Sequence, residues 1–244
     1  MNDSNSVILP AWPTRWPKNS FKGLWTWVIA IFIAGLFISV FVFSLKNPPQ
    51  PINVSPFEVF GLQFVIDALL VGLVLATLRP LSGFTLRELG FRVPDQTTLL
   101  TALVGFVAMV VVANGSEAAI NYFSKNDHSQ DVIQMFKHLH DPGTIAVFVA
   151  FAVIFAPFVE ETIFRVFFFN LGMRYGGFWG GAVLSGVLFG IAHGDLYAAV
   201  PLALGGIVLC AVYYRTRNAY ASMISHALFN ALAIVLLLAF PKIT

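Results

Sequence analysis

The chain has 244 residues, of which 58% are hydrophobic and only 11% charged, with a formal net charge of +2. A soluble domain carries roughly 25% charged residues, so this composition excludes a soluble fold and describes a polytopic membrane protein built as one helical domain. The small net charge gives no ground for a nucleic-acid partner. The single Cys210, set in an apolar run, excludes an intrachain disulfide framework and reads as a small core residue.

Residues 1–22 are polar, carry Pro10, Pro13 and Pro17, and read as a cytoplasmic tail. The apolar run behind them has spanning length and lacks the short core and small-residue cleavage site of a signal peptide, so it reads as a retained first membrane helix. A bilayer-spanning helix needs about 20 apolar residues. Seven spans are expected on that basis, at 23–45, 56–78, 99–122, 144–173, 178–192, 198–214 and 220–240. The fourth is long enough to be tilted, broken near Pro157, or to run out of the membrane. The fifth and sixth are short, and a turn at Asp195 allows them to fold as a tight hairpin.

The connections carry ordinary punctuation. Asn47-Pro48-Pro49-Gln50-Pro51 is an extended loop. Thr85 to Arg92 reads as a short amphipathic interfacial helix stopped by Gly90 and Pro94. A polar loop from Ser124 to Asp141 holds His128, His138 and His140, and its Met135 and Phe136 are placed to dip into the headgroups. The resulting organisation is a tail (1–22), N-terminal membrane helices with the interfacial segment (23–122), a polar loop (123–143) and a helical core (144–240). With seven spans, Arg15, Lys18, Lys22, Arg79, Arg87, Arg92, Arg174, Arg215 and Arg217 fall on one side, against Lys46, Lys125, Lys137 and Lys242 on the other. The positive-inside rule then puts the N-terminus in the cytoplasm. Tyr213 and Tyr214, next to Arg215 and Arg217, read as part of an interface belt.

Three polar clusters interrupt the apolar spans. Ionisable groups at bilayer depth are costly and are retained where they face a protein interior and find partners. The first cluster is Glu160, Glu161 and Arg165. Glu161 and Arg165 are i,i+4 neighbours that can pair, whereas Glu160 lies about 100° round the helix and is left free. The second is Phe189 and His193 on one helix face, with Gly186 and Gly190 on a neighbouring stripe that allows another helix to come close. The third is His226 and Asn230, again i,i+4.

At 1.5 Å per residue, Glu160, His193 and Asn230 sit roughly 20, 24 and 17 Å above the cytoplasmic turns, with His226 one turn lower at about 11 Å. One band of the bilayer therefore holds the set, and Glu160 rather than Glu161 is expected to face His193. Asp67 and Glu117, in the second and third spans, are further intramembrane carboxylates that can pair or line the same space. Asp195 follows His193 but reads as the cap of the next helix.

These residue types allow hydrolysis. A carboxylate in apolar surroundings can act as base towards water, histidine can share that role, and Asn and His can donate to an oxyanion. Ser185 lies two turns from His193 and Ser222 four residues before His226, and neither pair has the matching third group of a serine hydrolase. A divalent metal such as zinc is left open: Glu160, His193 and His226 are ligand types, but no His-Glu-x-x-His segment is present.

Glu160-Glu161-x-x-x-Arg165, Phe189-x-x-x-His193 and His226-x-x-x-Asn230, in this order, resemble the three motifs of the CPBP intramembrane protease family, which includes CAAX prenyl protease 2 enzymes and relatives linked to bacteriocin self-immunity. The resemblance covers about residues 144–240, with a weaker shared element at Leu86 to Arg92. It implies an all-helical bundle with a catalytic cavity between helices. It implies that Glu160 acts as general base with His193, that His226 and Asn230 stabilise the oxyanion, and that Glu161, Arg165 and Phe189 support the site. The implied substrate is a membrane-embedded or lipidated peptide or protein, prenylated CAAX-type proteins among them. Family members are widely labelled metalloproteases, although the glutamate mechanism requires no metal. Intramembrane Glu and His also serve proton-coupled transporters, and a non-catalytic membrane or immunity partner is the third class to weigh. No inverted pair of broken helices points to a transporter repeat.

Overall fold

In the computed structural model of the chain, residues 21–46, 56–82, 85–124 and 141–239 are described. The Pro48-Pro49 loop, the histidines at 128, 138 and 140, Met135, Phe136 and the tail before Phe21 lie outside these residues. The described chain is all helical: α1 (Phe21–Lys46), α2 (Pro56–Ser82), α3 (Gln96–Ser124), α4 (Pro142–Ala192), α5 (Leu196–Thr216) and α6 (Ala219–Ala239). All six are long and apolar enough to cross a membrane.

The stretches expected as separate spans at 144–173 and 178–192 follow one another in α4, whose backbone leaves helical geometry only at Gly176 and Gly177. Gly177 has φ +61°, a conformation that glycine adopts without steric cost. The chain reverses there. Gly181 packs against the backbone of Phe169 and Met173, Gly172 against Gly180 and Gly181, and the Ser185 hydroxyl donates to the Phe164 carbonyl at 2.8 Å. The two arms of α4, residues 142–175 and 178–192, are therefore antiparallel and in close backbone contact.

The first arm does not break at Pro157. It widens instead into π-helical turns at Phe151–Phe155 and Thr162–Phe169, on either side of the α-helical Ala156–Glu161. A π turn relaxes the i→i−4 ladder that proline cannot join, so Pro157 is accommodated without ending the helix. Such bulges are frequent at functional sites.

The second arm and α5 form the expected hairpin. Asp195 caps α5 by accepting from the Tyr197 and Ala198 amides. Gly186 meets the Ala203 carbonyl and Gly190 the Ala199 carbonyl, at distances that leave no room for a Cβ. Helix α3 closes the other side: Gly105 lies under Val212 and Ser225, and Ser225 donates to the Ala102 carbonyl. Small residues at these crossings let backbones approach where lipid supplies no hydrophobic drive between helices.

Helices α1 and α2 lie against the first arm. Phe60 packs on Phe148 and Phe151, and Phe64 stacks on Phe155 at 4.6 Å, so α2 runs parallel to it. Phe37 stacks on Phe164 and the Trp27 indole donates to the Tyr175 hydroxyl, so α1 runs antiparallel to it.

Residues 85–92 do not form an interfacial helix. They make hydrogen-bonded turns opened by a Thr85–Glu88 capping box. They are closed by Gly90 at φ +97°, with Phe91 N–H bonded to the Leu86 carbonyl. The segment is held by protein: Ala219 N–H donates to Gly90, Arg92 to the Thr216 carbonyl, and the buried Tyr213 hydroxyl to Leu89. Tyr213 is thus a core residue, and only Tyr214, under the Arg217 guanidinium at 4.4 Å, keeps an exposed belt position.

Candidate active site

Residues 161–173 of the first arm are all buried, and Glu160 and Glu161 stand at the start of this stretch. Glu161 is fully buried. Its Oε1 lies 3.1 Å from Arg165 Nη1, one helical turn on, as the i,i+4 spacing predicts. The same oxygen lies 3.0 Å from His226 Nδ1 on α6. A carboxylate only accepts, so Nδ1 carries the proton, and the imidazole ring is fixed with Nε2 turned the other way.

Nε2 of His226 comes to 3.8 Å from Glu160 Oε2. That gap exceeds a direct hydrogen bond, but one oxygen atom can bond to both ends. The Glu160 side chain keeps 24% exposure, while its Oε2 is buried and has no hydrogen-bond partner among the described residues. The two adjacent glutamates therefore bracket one imidazole, Glu161 orienting it from Nδ1 and Glu160 facing it across Nε2.

Arg165 is held from three directions. It pairs with Glu161, donates to the Gly206 carbonyl of α5 at 3.3 Å, and lies over the Phe189 ring at 4.4 Å. Phe189 is a hub: its ring also meets Phe164, His226 at 5.6 Å and His193 at 4.8 Å. Phe189 and His193 do share a face.

His193, however, caps the C-terminal end of α4, is exposed, and directs Nδ1 to the carbonyl of Phe189 at 2.7 Å. A carbonyl also only accepts, so Nε2 of His193 is the open nitrogen. The ion-pair partner of Glu160 is His226, and His193 makes no ion pair with it.

Asn230 donates from Nδ2 to the Ala152 carbonyl at 2.8 Å, within the first π turn. One amide proton is thereby spent on orientation, and the second remains for another acceptor. The depth order is also corrected. His226, not Asn230, stands level with Glu160. The π turns at Thr162–Phe169 take more residues per turn than an α-helix, so Glu160 climbs less from Gly176 than a uniform 1.5 Å per residue gives.

Among the described residues, no three His, Cys, Asp or Glu side chains gather as a metal ligand set. Glu161 on Nδ1 leaves Nε2 of His226 open, but His193 is not gathered with Glu160 and His226, so the three as placed do not fit a three-ligand arrangement. The chemistry is accordingly derived from the protein's own groups.

Sequence reasoning missed the second partner of Glu161. Its only sequence signal was that Glu161 is adjacent to a free Glu160 and must itself be satisfied inside the membrane. Asp67 on α2 is buried and accepts from Gln63 Nε2 at 2.8 Å. Glu117 is half-buried on α3.

Residues 142–232, which hold every motif residue above, are similar to the family described as type II CAAX prenyl endopeptidase Rce1-like. With its long apolar helices, the chain is a multi-pass membrane protein.

Two curated relatives extend the likeness. The chain is 25% identical over 194 residues to YdiL of Bacillus subtilis (strain 168), whose name describes it as a membrane peptidase, covering 77% of this chain and 76% of YdiL. It is 31% identical over 146 residues to the UPF0177 protein YvdC of Lactococcus lactis subsp. lactis (strain IL1403), covering 57% of this chain and 53% of YvdC. No solved structure gives a significant match.

Proposed function

We propose that the chain hydrolyses a peptide bond of a membrane-embedded or lipidated substrate with water activated by Glu160. The observation that carries this reading is the bracket of Glu160 and Glu161 around the His226 ring, inside the segment that matches the endopeptidase family. Glu160 takes a proton from water as the oxygen attacks the scissile carbonyl carbon, and later returns it to the leaving amine. His226, with Glu161 stabilising positive charge at Nδ1, donates from Nε2 to the oxyanion, and the second Nδ2 proton of Asn230 adds a donor. His193 presents its open Nε2 from the exposed end of α4, on the far side of the Phe189 ring, as an accessory base for water entering there. Arg165 and Phe189 hold the relay in place.

The N-terminus is proposed to face the cytoplasm. The end of the bundle that holds Trp27, Arg92, Arg174 and Arg217 is the basic one, and the end that holds Asp141, His193 and Asp195 is not.

The test is Glu160→Gln, folded and reconstituted in liposomes, against membrane peptides that accumulate in cells carrying this variant but not wild type. Loss of cleavage by about 10²–10⁴-fold is expected for removal of a general base. Undiminished cleavage removes the assignment. Proton-coupled uptake by wild type without any cleavage transfers the site to transport.

A further inference from the structure

The first arm gives up one backbone hydrogen bond close to the site, and a neighbouring helix takes it up. In the turn Phe151–Phe155 the ladder runs i→i−5, with the Ala156 N–H donating to the Phe151 carbonyl. The next rung in that register would join residue 157 to the Ala152 carbonyl. Residue 157 is a buried proline and has no N–H to donate. The sequence therefore leaves the Ala152 carbonyl open inside the membrane, where no bulk water is at hand to answer it.

Asn230 of α6 answers it, donating from Nδ2 at 2.8 Å. A carbonyl only accepts, so this contact decides which end of the amide is Nδ2 and which way Oδ1 and the second Nδ2 proton turn. Helix α6 runs antiparallel to the arm. Ile234 and Leu237 cluster with Phe148, Asn230 bonds Ala152, and His226 Nδ1 lies 3.0 Å from Glu161. Pro157 falls between the last two contacts, three residues before Glu160.

We propose that Pro157 is a positioning residue for the hydrolytic site: by withholding an N–H it frees the Ala152 carbonyl, and that carbonyl orients the Asn230 amide one helical turn from His226. An N–H at position 157 would undo this in either of two ways. It closes on Ala152 directly, or the turn tightens to i→i−4 and Ala156 takes the same carbonyl. Both leave Asn230 without its anchor. Pro157 acts through Asn230 and touches neither water nor peptide. The inference rests on the peptidase reading for its effect on turnover, and on backbone geometry alone for its detection.

Two measurements on full-length protein in liposomes decide it. They compare Pro157→Ala with an ester variant in which L-lactate replaces Pro157. The two carry the same methyl side chain and both lack the proline ring, but only the alanine variant has an N–H. In solid-state NMR of protein labelled with 15N-asparagine, the Asn230 side-chain amide is the signal missing from Asn230→Ala. Pro157→Ala should move it upfield, as the loss of a carbonyl acceptor does, and the lactate variant should keep it at the wild-type position. A signal that is unmoved in Pro157→Ala, or moved equally in both variants, overturns the proposal.

The second measurement is kcat and KM on a peptide cleaved by wild type. Deleting a donor to the oxyanion costs roughly 10²–10³ in kcat, and misorienting it in Pro157→Ala should cost at least about tenfold, with KM little changed. The lactate variant should retain wild-type kcat. In an Asn230→Ala background, Pro157→Ala should cost nothing further, because the two act through one contact. Equal losses in the alanine and lactate variants assign Pro157 to ring packing and sink the proposal, as does a full additional loss in the double variant. If wild type cleaves nothing, the NMR arm still decides the inference and the peptidase reading alone fails. If Pro157→Ala does not fold, the lactate variant decides it: an Asn230 signal away from the wild-type position overturns the proposal.

Discussion

The first arm of α4 and helix α1 are both strongly apolar, yet they live in different surroundings. From Glu161 to Met173 every residue of the arm is buried in protein. On α1, Leu24, Ile31, Phe32 and Phe43 all face outward. Hydrophobicity cannot sort the two, because lipid accepts leucine as readily as a protein core does. What differs is the presence of groups that lipid refuses. The arm carries two glutamates and an arginine, and α1 carries no charge between Gly23 and Leu45. The charged set needs surrounding helices on all sides, so the arm is at the centre and α1 at the edge.

The comparison is broken most severely by removing one charge from the centre. Arg165→Met leaves Glu161 buried beside His226 without its cation. Breaking a buried pair from one side costs about 3–5 kcal/mol, because the remaining charge is uncompensated. Thermal unfolding in detergent should fall accordingly, and peptide cleavage should be lost with it. Adding Glu161→Gln removes the second charge too, and should return much of the stability. It should not return cleavage, since His226 then has no carboxylate at Nδ1. A double variant no more stable than Arg165→Met would show that the pair is not what centres the arm.

The same contrast explains how far the sequence could be read. Charges in apolar runs stand out, so Glu160, Glu161, Arg165, His193, His226 and Asn230 were visible, and i,i+4 spacing alone paired Glu161 with Arg165. Periodicity failed where nearly every residue is apolar. The run Thr162–Phe169 has only Thr162 and Arg165 as polar positions, too few to reveal a π turn, and the level of Glu160 relative to His226 depends on that turn. Cross-helix register was equally hidden. That α2 lies parallel to the arm is set by the Phe60 and Phe64 ring contacts, and neither phenylalanine differs in sequence from the many that face lipid. The reversal at Gly176-Gly177 falls where the sequence puts the boundary between the fourth and fifth stretches.

A second break concerns close approach rather than charge. A Cβ on Gly190 meets the Ala199 carbonyl, and one on Gly206 lies 3.3 Å from Arg165 Nη2. Gly190→Val should push α5 away from the second arm. Overpacking of this kind costs roughly 1–3 kcal/mol. Because Gly206 of α5 gives its carbonyl to Arg165, the displacement should also lower kcat more than it raises KM. A Gly190→Val protein with full stability and activity would mean that the hairpin tolerates separation.

The finest test lies within one helix. Ile33 of α1 is 0% exposed, against the core side of the bundle, and Ile31 is 67% exposed, two residues away. Truncation to alanine removes the same atoms at both. In water the buried position would lose both transfer and packing energy. In a bilayer α1 remains in lipid even when it leaves the bundle, so the transfer part vanishes and only packing is lost. Ile33→Ala should therefore cost roughly 1 kcal/mol, well below the usual 2–5 for a buried isoleucine in water. Ile31→Ala should stay within about 0.5 kcal/mol of wild type. Steric-trap or detergent-unfolding measurements on the two variants, side by side, check this. Equal effects would mean that α1 does not present Ile33 to the bundle. A loss of several kcal/mol at Ile33 would mean that unfolding brings α1 into water, and that the centre–edge contrast is built on burial from solvent rather than on packing.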